Sequence, residues 1–314
     1  HILEIHNPLK KFKICPSSTY NNPWIAEKPK SNNFNYELSN EYLNKRVYSP
    51  DTIIDSFSNK NFTNNNFEDE IYDDKGLKVH LDHTKLNIVL FLHDFSDALY
   101  ADGLDGFNDL YEWTIFTLDK LFDNNSVEKI LIKSHPSADF IASRANKIAF
   151  NKIYKIYKKN EKFIFLDKNS SLVALCKNKK LYGITHHGNI ALELVYLDQP
   201  AIGWTNGPWG SHYQFLKTWK QKDDYADLLS GLKDEKWKPP SLKEKEILYM
   251  YICNFELKRM SSDQKSIRVY LTNNLKRLSG CGYKEFEINM RKIKVEDILF
   301  SEVLDKIYEK SLSD

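Results

Sequence analysis

From Lys85 to Trp204 the chain alternates short apolar runs with longer segments of helical periodicity. In order these are Leu86–Leu92, helix Asp109–Phe122, Lys129–Lys133, helix Ser137–Asn160, Lys162–Leu166, helix Ser170–Asn178, Lys180–Thr185, helix Asn189–Leu197 and Ala201–Trp204. Runs that are apolar throughout are buried on both faces, and a helix between consecutive strands turns each connection into a crossover. The pattern therefore predicts an α/β fold with a parallel sheet.

The flanks read differently. Residues 1–80 are polar and irregular, with no sheet expected; Tyr36–Asn44 and Pro50–Phe57 are short helical candidates, and Asn59–Asp74 reads as a loop or linker. After Pro208 the chain is helical and charged apart from Pro239-Pro240, with apolar residues at helical spacing in Ser241–Met260 and Val295–Lys310. Three regions follow: an irregular 1–80, a sheet domain at 85–210, and a helical 211–314. The 314 residues, 41% hydrophobic, suffice for a sizeable core. A net charge of +2 argues against a protein built to coat nucleic acid. Four separated cysteines without a C-x-x-C pair read as the reduced thiols of a cytoplasmic protein. No run has the length of a membrane span and no signal-like segment is present, although the basic helices allow peripheral contact with an anionic membrane surface. The chain begins at His1 rather than Met, which leaves preceding sequence open.

In an open parallel sheet ligands bind beyond the carboxyl ends of the strands. The polar residues there are His93-Asp94-Phe95-Ser96-Asp97, Ser134-His135-Pro136-Ser137, Asp167, His186-His187-Gly188-Asn189 and Thr205-Asn206-Gly207-Pro208. With His212 slightly later, this rim holds five of the nine histidines. Thr185–Leu194 leads from an apolar run into a helix, where glycine and unpaired N–H groups suit an anion; the alternative is an ordinary capped turn. Glu193 on that helix could accept from ribose or sugar hydroxyls. Asp94, flanked by His93 and Asp97, could serve as nucleophile or general base; helix capping and metal ligation are the other readings. Lys133 and His135 suit a phosphate, with Ser137 near a helix cap. Glu112 is another carboxylate on the helix after His93. Trp204, Trp209, Tyr213 and Trp219 could stack a ring or simply pack.

Taken together, Ile132-Lys133-Ser134-His135-Pro136, the Thr185–Glu193 segment, Leu192-Glu193-Leu194 followed by Gln199-Pro200-Ala201-Ile202, and Phe91–Asp97 resemble the C-terminal domain of GT-B glycosyltransferases of bacterial capsule and O-antigen assembly. The resemblance is strongest to transferases of CMP-activated Kdo with an HP motif, and covers roughly residues 85–210. It implies a Rossmann-type parallel sheet that binds the donor, C-terminal helices crossing back over the cleft, and metal-independent transfer of Kdo or a related acidic sugar from CMP. The acceptor would be a surface oligosaccharide or glycolipid. No cofactor is implied beyond the nucleotide-sugar substrate. Lys133, His135, Ser137, His186, His187, Gly188, Asn189, Glu193 and Asn206 would hold the donor, and Asp94, His93, Asp97 and Glu112 would surround the chemistry. Residues 1–80 are too short for a complete acceptor domain. A CDP-polyol phosphotransferase of teichoic-acid type and a non-catalytic glycan- or nucleotide-binding subunit remain as alternatives.

Overall fold

The computed structural model describes residues 3–6, 13–16, 34–48, 70–82, 84–95, 105–135, 144–167, 170–177, 180–209 and 212–257. Pro50–Phe57, Val295–Lys310, most of Asn59–Asp74, and Ser96, Asp97, Pro136 and Ser137 lie outside these residues. Two compact units divide the chain, with a boundary after Ser18 and another after Cys253.

In the first unit, β1 (Leu3–His6) and β2 (Lys13–Pro16) pair antiparallel, Leu3 opposite Pro16 and His6 opposite Lys13. No sheet was expected there. At four residues each, Leu-Glu-Ile-His and Lys-Ile-Cys-Pro are at the lower limit at which alternation reads as a strand.

The second unit opens with α1 (Tyr36–Tyr48), which extends past the anticipated Asn44. The strands β3 (Leu86–Phe91), β4 (Val127–Lys133), β5 (Phe163–Phe165), β6 (Leu181–Ile184), β7 (Ala201–Trp204) and β8 (Lys217–Trp219) form one sheet. Every pair is parallel and the order is β5-β4-β3-β6-β7-β8. That is the doubly wound Rossmann arrangement, with the order reversing between β3 and β6. The expected parallel α/β sheet is present, and it carries one strand more than the sequence pattern showed. Strand β8 has only three residues and a single buried side chain, Trp219, which suits an edge strand and leaves little periodic signal.

The helices between strands are α2 (Leu110–Asp123), α3 (Arg144–Tyr157), α4 (Leu172–Cys176) and α5 (Ile190–Tyr196), followed by α6 (Lys222–Ser230) and α7 (Leu242–Tyr251). Caps fix several starts. Asp109 accepts from the Glu112 amide, Ser171 from Ala174, and Ser241 with Glu244 makes a reciprocal capping box on α7. Leu86, Ile88 and Leu90 of β3 join Ile130, Ile132, Tyr182, Ile184, Ile202 and Trp204 in one core, covered by Trp113, Leu118 and Leu121 of α2, Ile153 of α3 and Tyr225 of α6. Trp113 is completely buried, and its truncation to Ala would cost roughly 3–5 kcal/mol. Helix α5 packs against β6 and β7, and α1 lies on both α5 and α7. The carboxyl ends of β3 and β6 lie side by side where the strand order reverses.

Candidate functional site

The apolar runs of β3 and β6 stop at that edge and pass directly into polar residues. Leu92-His93-Asp94 follows β3, and Thr185-His186-His187-Gly188 follows β6. Because the strands are neighbours, Leu90 pairing with Ile184, the two tails meet. Ring centroids of His93 and His187 lie 4.2 Å apart, and those of His186 and His187 5.0 Å apart. All three imidazoles are buried.

Thr185 ties the tails together. Its Oγ1 lies 2.9 Å from His93 Nε2 and accepts from the Gly188 amide at 3.1 Å, while the His187 amide donates to the same Nε2 at 3.3 Å. Gly188 is required by close approach. A Cβ there would stand 2.6 Å from Thr185 Oγ1 and 3.3 Å from His93 Cε1. The glycine thus makes room for the hydroxyl and the imidazole of its own site, a role its sequence context did not show.

His186 points inward. Trp113, Trp204 and Trp219 surround it at ring distances of 5.4, 5.1 and 5.5 Å. Its Nε2 lies 2.5 Å from Asp105 Oδ2 and its Nδ1 2.7 Å from His187 Nδ1. Burial dominates over the Asp105 contact and lowers the His186 pKa to about 4. His93 is also held well below the usual imidazole range, first by burial and then by the charges of His187, His186 and His135. Both rings are therefore neutral at pH 7.

Asp105 was not singled out from the sequence, although Asp105-Gly106 is a turn signal. Its Oδ1 accepts from the Phe107 amide at 2.9 Å, and Gly106 follows at φ +95°, a conformation suited to glycine. This turn sets a fully buried carboxylate against His186. Asn146 of α3 was missed as well; its amide donates to Asp94 Oδ1 at 2.5 Å and steadies that half-buried carboxyl.

The other anticipated residues are distributed around this core. Lys133 is buried at the end of β4 with Nζ donating to the Ser170 carbonyl at 2.9 Å; desolvation brings its pKa down to about 8, against the opposing pull of Asp167. His135 is half-buried and near enough for its charge to act on His93. Asn189 is exposed and its side chain makes no capping bond to α5, so the alternative of an ordinary Asn-capped turn is not what forms; Asn206 is exposed in the turn after β7. Glu193 turns away to Arg46 of α1, accepting from its Nε at 2.8 Å. Burial raises the Glu193 pKa, and Arg46 opposes the rise. Glu112 accepts from the Asn108 amide and from Lys222 Nζ at 2.6 Å, which lowers its pKa and joins α2 to α6 instead of to the histidines. Trp204, Trp209, Tyr213 and Trp219 are buried, so they pack rather than offer a stacking surface. Asp97 and Ser137 fall outside the described residues.

Fold and site together define a doubly wound α/β protein with a histidine-rich polar cluster at its topological switch point. No family model and no curated protein sequence matches the chain. Among solved structures it is similar to a trehalose-6-phosphate synthase, an enzyme of glycosyltransfer with retention, at 12% identity and a TM-score of 0.39. The likeness covers 59% of this chain and 46% of that one. Among the described residues no helix is long and apolar enough to cross a membrane.

Proposed function

We propose that the chain is a glycosyltransferase of GT-B type, with its nucleotide-linked sugar bound over the carboxyl ends of β3 and β6. One observation carries the reading. Asp94 follows His93, whose ring lies 4.2 Å from that of the buried His187, at the point where the strand order reverses. A carboxylate three residues beyond the end of β3, held by Asn146, is suited to attack or assist at a sugar's anomeric carbon. The polar strand-end groups around His93 and His135 are suited to a phosphate that gains charge as it leaves. The donor in this proposal is CMP-linked, carrying Kdo or a related acidic sugar, and the acceptor is a bacterial surface glycan. His135 would approach the nucleotide side.

Thermal unfolding with CMP, CDP, UDP and GDP tests the donor. A ligand at 100 times its dissociation constant stabilises the fold by about 2.7 kcal/mol, so the matching nucleotide raises the melting temperature by several degrees. CMP is expected to do so; CDP alone would instead favour polyol-phosphate transfer, and no shift with any nucleotide would overturn the reading. Asp94→Asn should abolish transfer while the CMP shift persists.

A further inference from the structure

Helix α3 carries charge of one sign. From Lys147 to Lys159 the sequence holds five lysines, Lys147, Lys152, Lys155, Lys158 and Lys159, and no aspartate or glutamate. The whole chain has a net charge of only +2, so positive charge is concentrated here; α1, α2, α6 and α7 each mix acid with base. All five lysines are exposed, and among the described residues none lies within ion-pair distance of a carboxylate. Asp119, the carboxylate that α2 turns toward α3, accepts from the Tyr157 hydroxyl at 2.6 Å on the inward side. Apolar surface is interleaved with the charge, Ile148 being 46% and Ile156 56% exposed. At about 100° per residue, Lys152 and Lys155 lie within about 40° of Ile148 around the helix. Asn146, Ile153 and Tyr157 lie on the opposite side and are buried. Ile148 therefore stands in the middle of the lysine face, with Lys159 one turn beyond Lys155.

We propose that the outer face of α3 is a docking surface for an anionic lipid bilayer. The lysine stems lie along the headgroup layer with their ammonium groups at the lipid phosphates, and Ile148 enters the boundary between headgroups and acyl chains. Each lysine adds attraction within a screening length of the surface, so the five act together. A lysine array suits a diffuse sheet of negative charge. Nucleic acid fits the face less well, because bidentate recognition of phosphates and bases favours the arginine fork, and an isoleucine at the centre gains nothing from a phosphate backbone. The same helix turns Asn146 inward onto Asp94, so a bilayer along α3 lies against the helix that borders the strand-end cluster. Docking does not rest on the transfer reading. Vesicle binding without transfer would leave it standing, and transfer without vesicle binding would overturn it alone.

Co-sedimentation of the full chain with phosphatidylcholine vesicles, with and without phosphatidylglycerol, tests the surface. Binding is expected only with phosphatidylglycerol, and it should fade as salt shortens the screening length toward about 3 Å at 1 M. Lys152→Gln/Lys155→Gln/Lys159→Gln should weaken it on the order of 10²-fold, and arginine at the same three positions should retain it. Ile148→Ser, which leaves the charge unchanged, should weaken it by about 10-fold. Lys233→Gln/Lys236→Gln/Lys238→Gln removes the same charge from three exposed positions elsewhere and should bind as the unaltered chain does. The α3 lysines are exposed, so circular dichroism should show the fold intact; if the glutamine variant unfolds, Ile148→Ser and the arginine variant decide. No binding, equal binding to both vesicles, equal loss in the two glutamine variants, or binding to duplex DNA and not to vesicles would each overturn the proposal.

Discussion

Gly188→Ala, combined with changes at Thr185, probes the strand-end geometry most directly. The added methyl would lie 2.6 Å from Thr185 Oγ1, inside contact distance, and 3.3–3.4 Å from the His93 ring. The hydroxyl has to move, which removes its bonds to His93 Nε2 and from the Gly188 amide. Two hydrogen bonds at about 1 kcal/mol each, with overpacking of about 1–3 kcal/mol, put the cost at roughly 3–5 kcal/mol. Thr185→Ala alone loses the same two bonds, about 2 kcal/mol. In the double variant Thr185→Ala/Gly188→Ala the bonds are lost once and no hydroxyl is left to displace. It should be about as stable as Thr185→Ala, a coupling of roughly 3–5 kcal/mol. Thr185→Ser keeps the oxygen and should give no relief. Urea unfolding followed by tryptophan fluorescence and circular dichroism measures all four. Additivity within about 0.5 kcal/mol would refute the argument.

Three further outcomes follow from buried charge. Arg46→Met leaves the Glu193 carboxylate without its cation and should cost about 3 kcal/mol at pH 7. Glu193 already titrates above its ordinary 4.5, and losing Arg46 raises it further, so the loss should shrink as pH falls toward 4.5; a penalty equal at pH 7 and 4.5 would refute this. Lys133 titrates at about 8 when folded against 10.5 ordinarily, so the folded state binds fewer protons between those values and stability rises through that window, by about 3 kcal/mol. Lys133→Met should flatten that rise relative to wild type in denaturant midpoints taken from pH 7.5 to 10.5. His186, lowered from 6.5 to about 4, should make stability fall on acidification already between pH 6.5 and 5, above the ordinary carboxylate range, and a flat profile there would contradict its neutral burial.

What was legible in the sequence was whatever depends on neighbours along the chain. The β3 and β6 runs announce buried strands, and the polar residues after them announce a rim, because an apolar stretch that ends abruptly in His-Asp or Thr-His-His has few other places to end. Strand adjacency was not legible, and the site depends on it. Asp105 reaches His186 from 81 positions away, and Arg46 reaches Glu193 from 147. Neither pair has a local signature, so Glu193 read as a ligand contact when it is an ion-paired strut to α1. Gly188 illustrates the same limit. Its presence after two histidines suggested close approach to a phosphate, yet the atoms pressing on it are Thr185 Oγ1 and His93 Cε1. The turn before α2 failed for another reason. Asp105-Gly106 is an ordinary turn dipeptide, and only the partner on β6's tail gives its carboxylate a use.

The protonation of this cluster bears on what it can be for. A site meant to hold an arriving anion would gain most from permanent positive charge, and His93, His186 and Lys133 do not supply it. His93 and His186 are kept neutral by burial, and Lys133 directs its ammonium at the Ser170 carbonyl. Around them lie fixed dipoles held by Asp105, Thr185 and the His187 and Gly188 amides. Such an arrangement interacts modestly with a resting ligand and more strongly as charge separates, since the dipoles are already aligned and need no reorganisation. Imidazoles poised neutral can also gain a proton in the course of a reaction, which imidazolium cannot do. The cost of burying three histidines and an aspartate is understandable if charge is to be created there, and hard to rationalise if the cluster serves only to bind it.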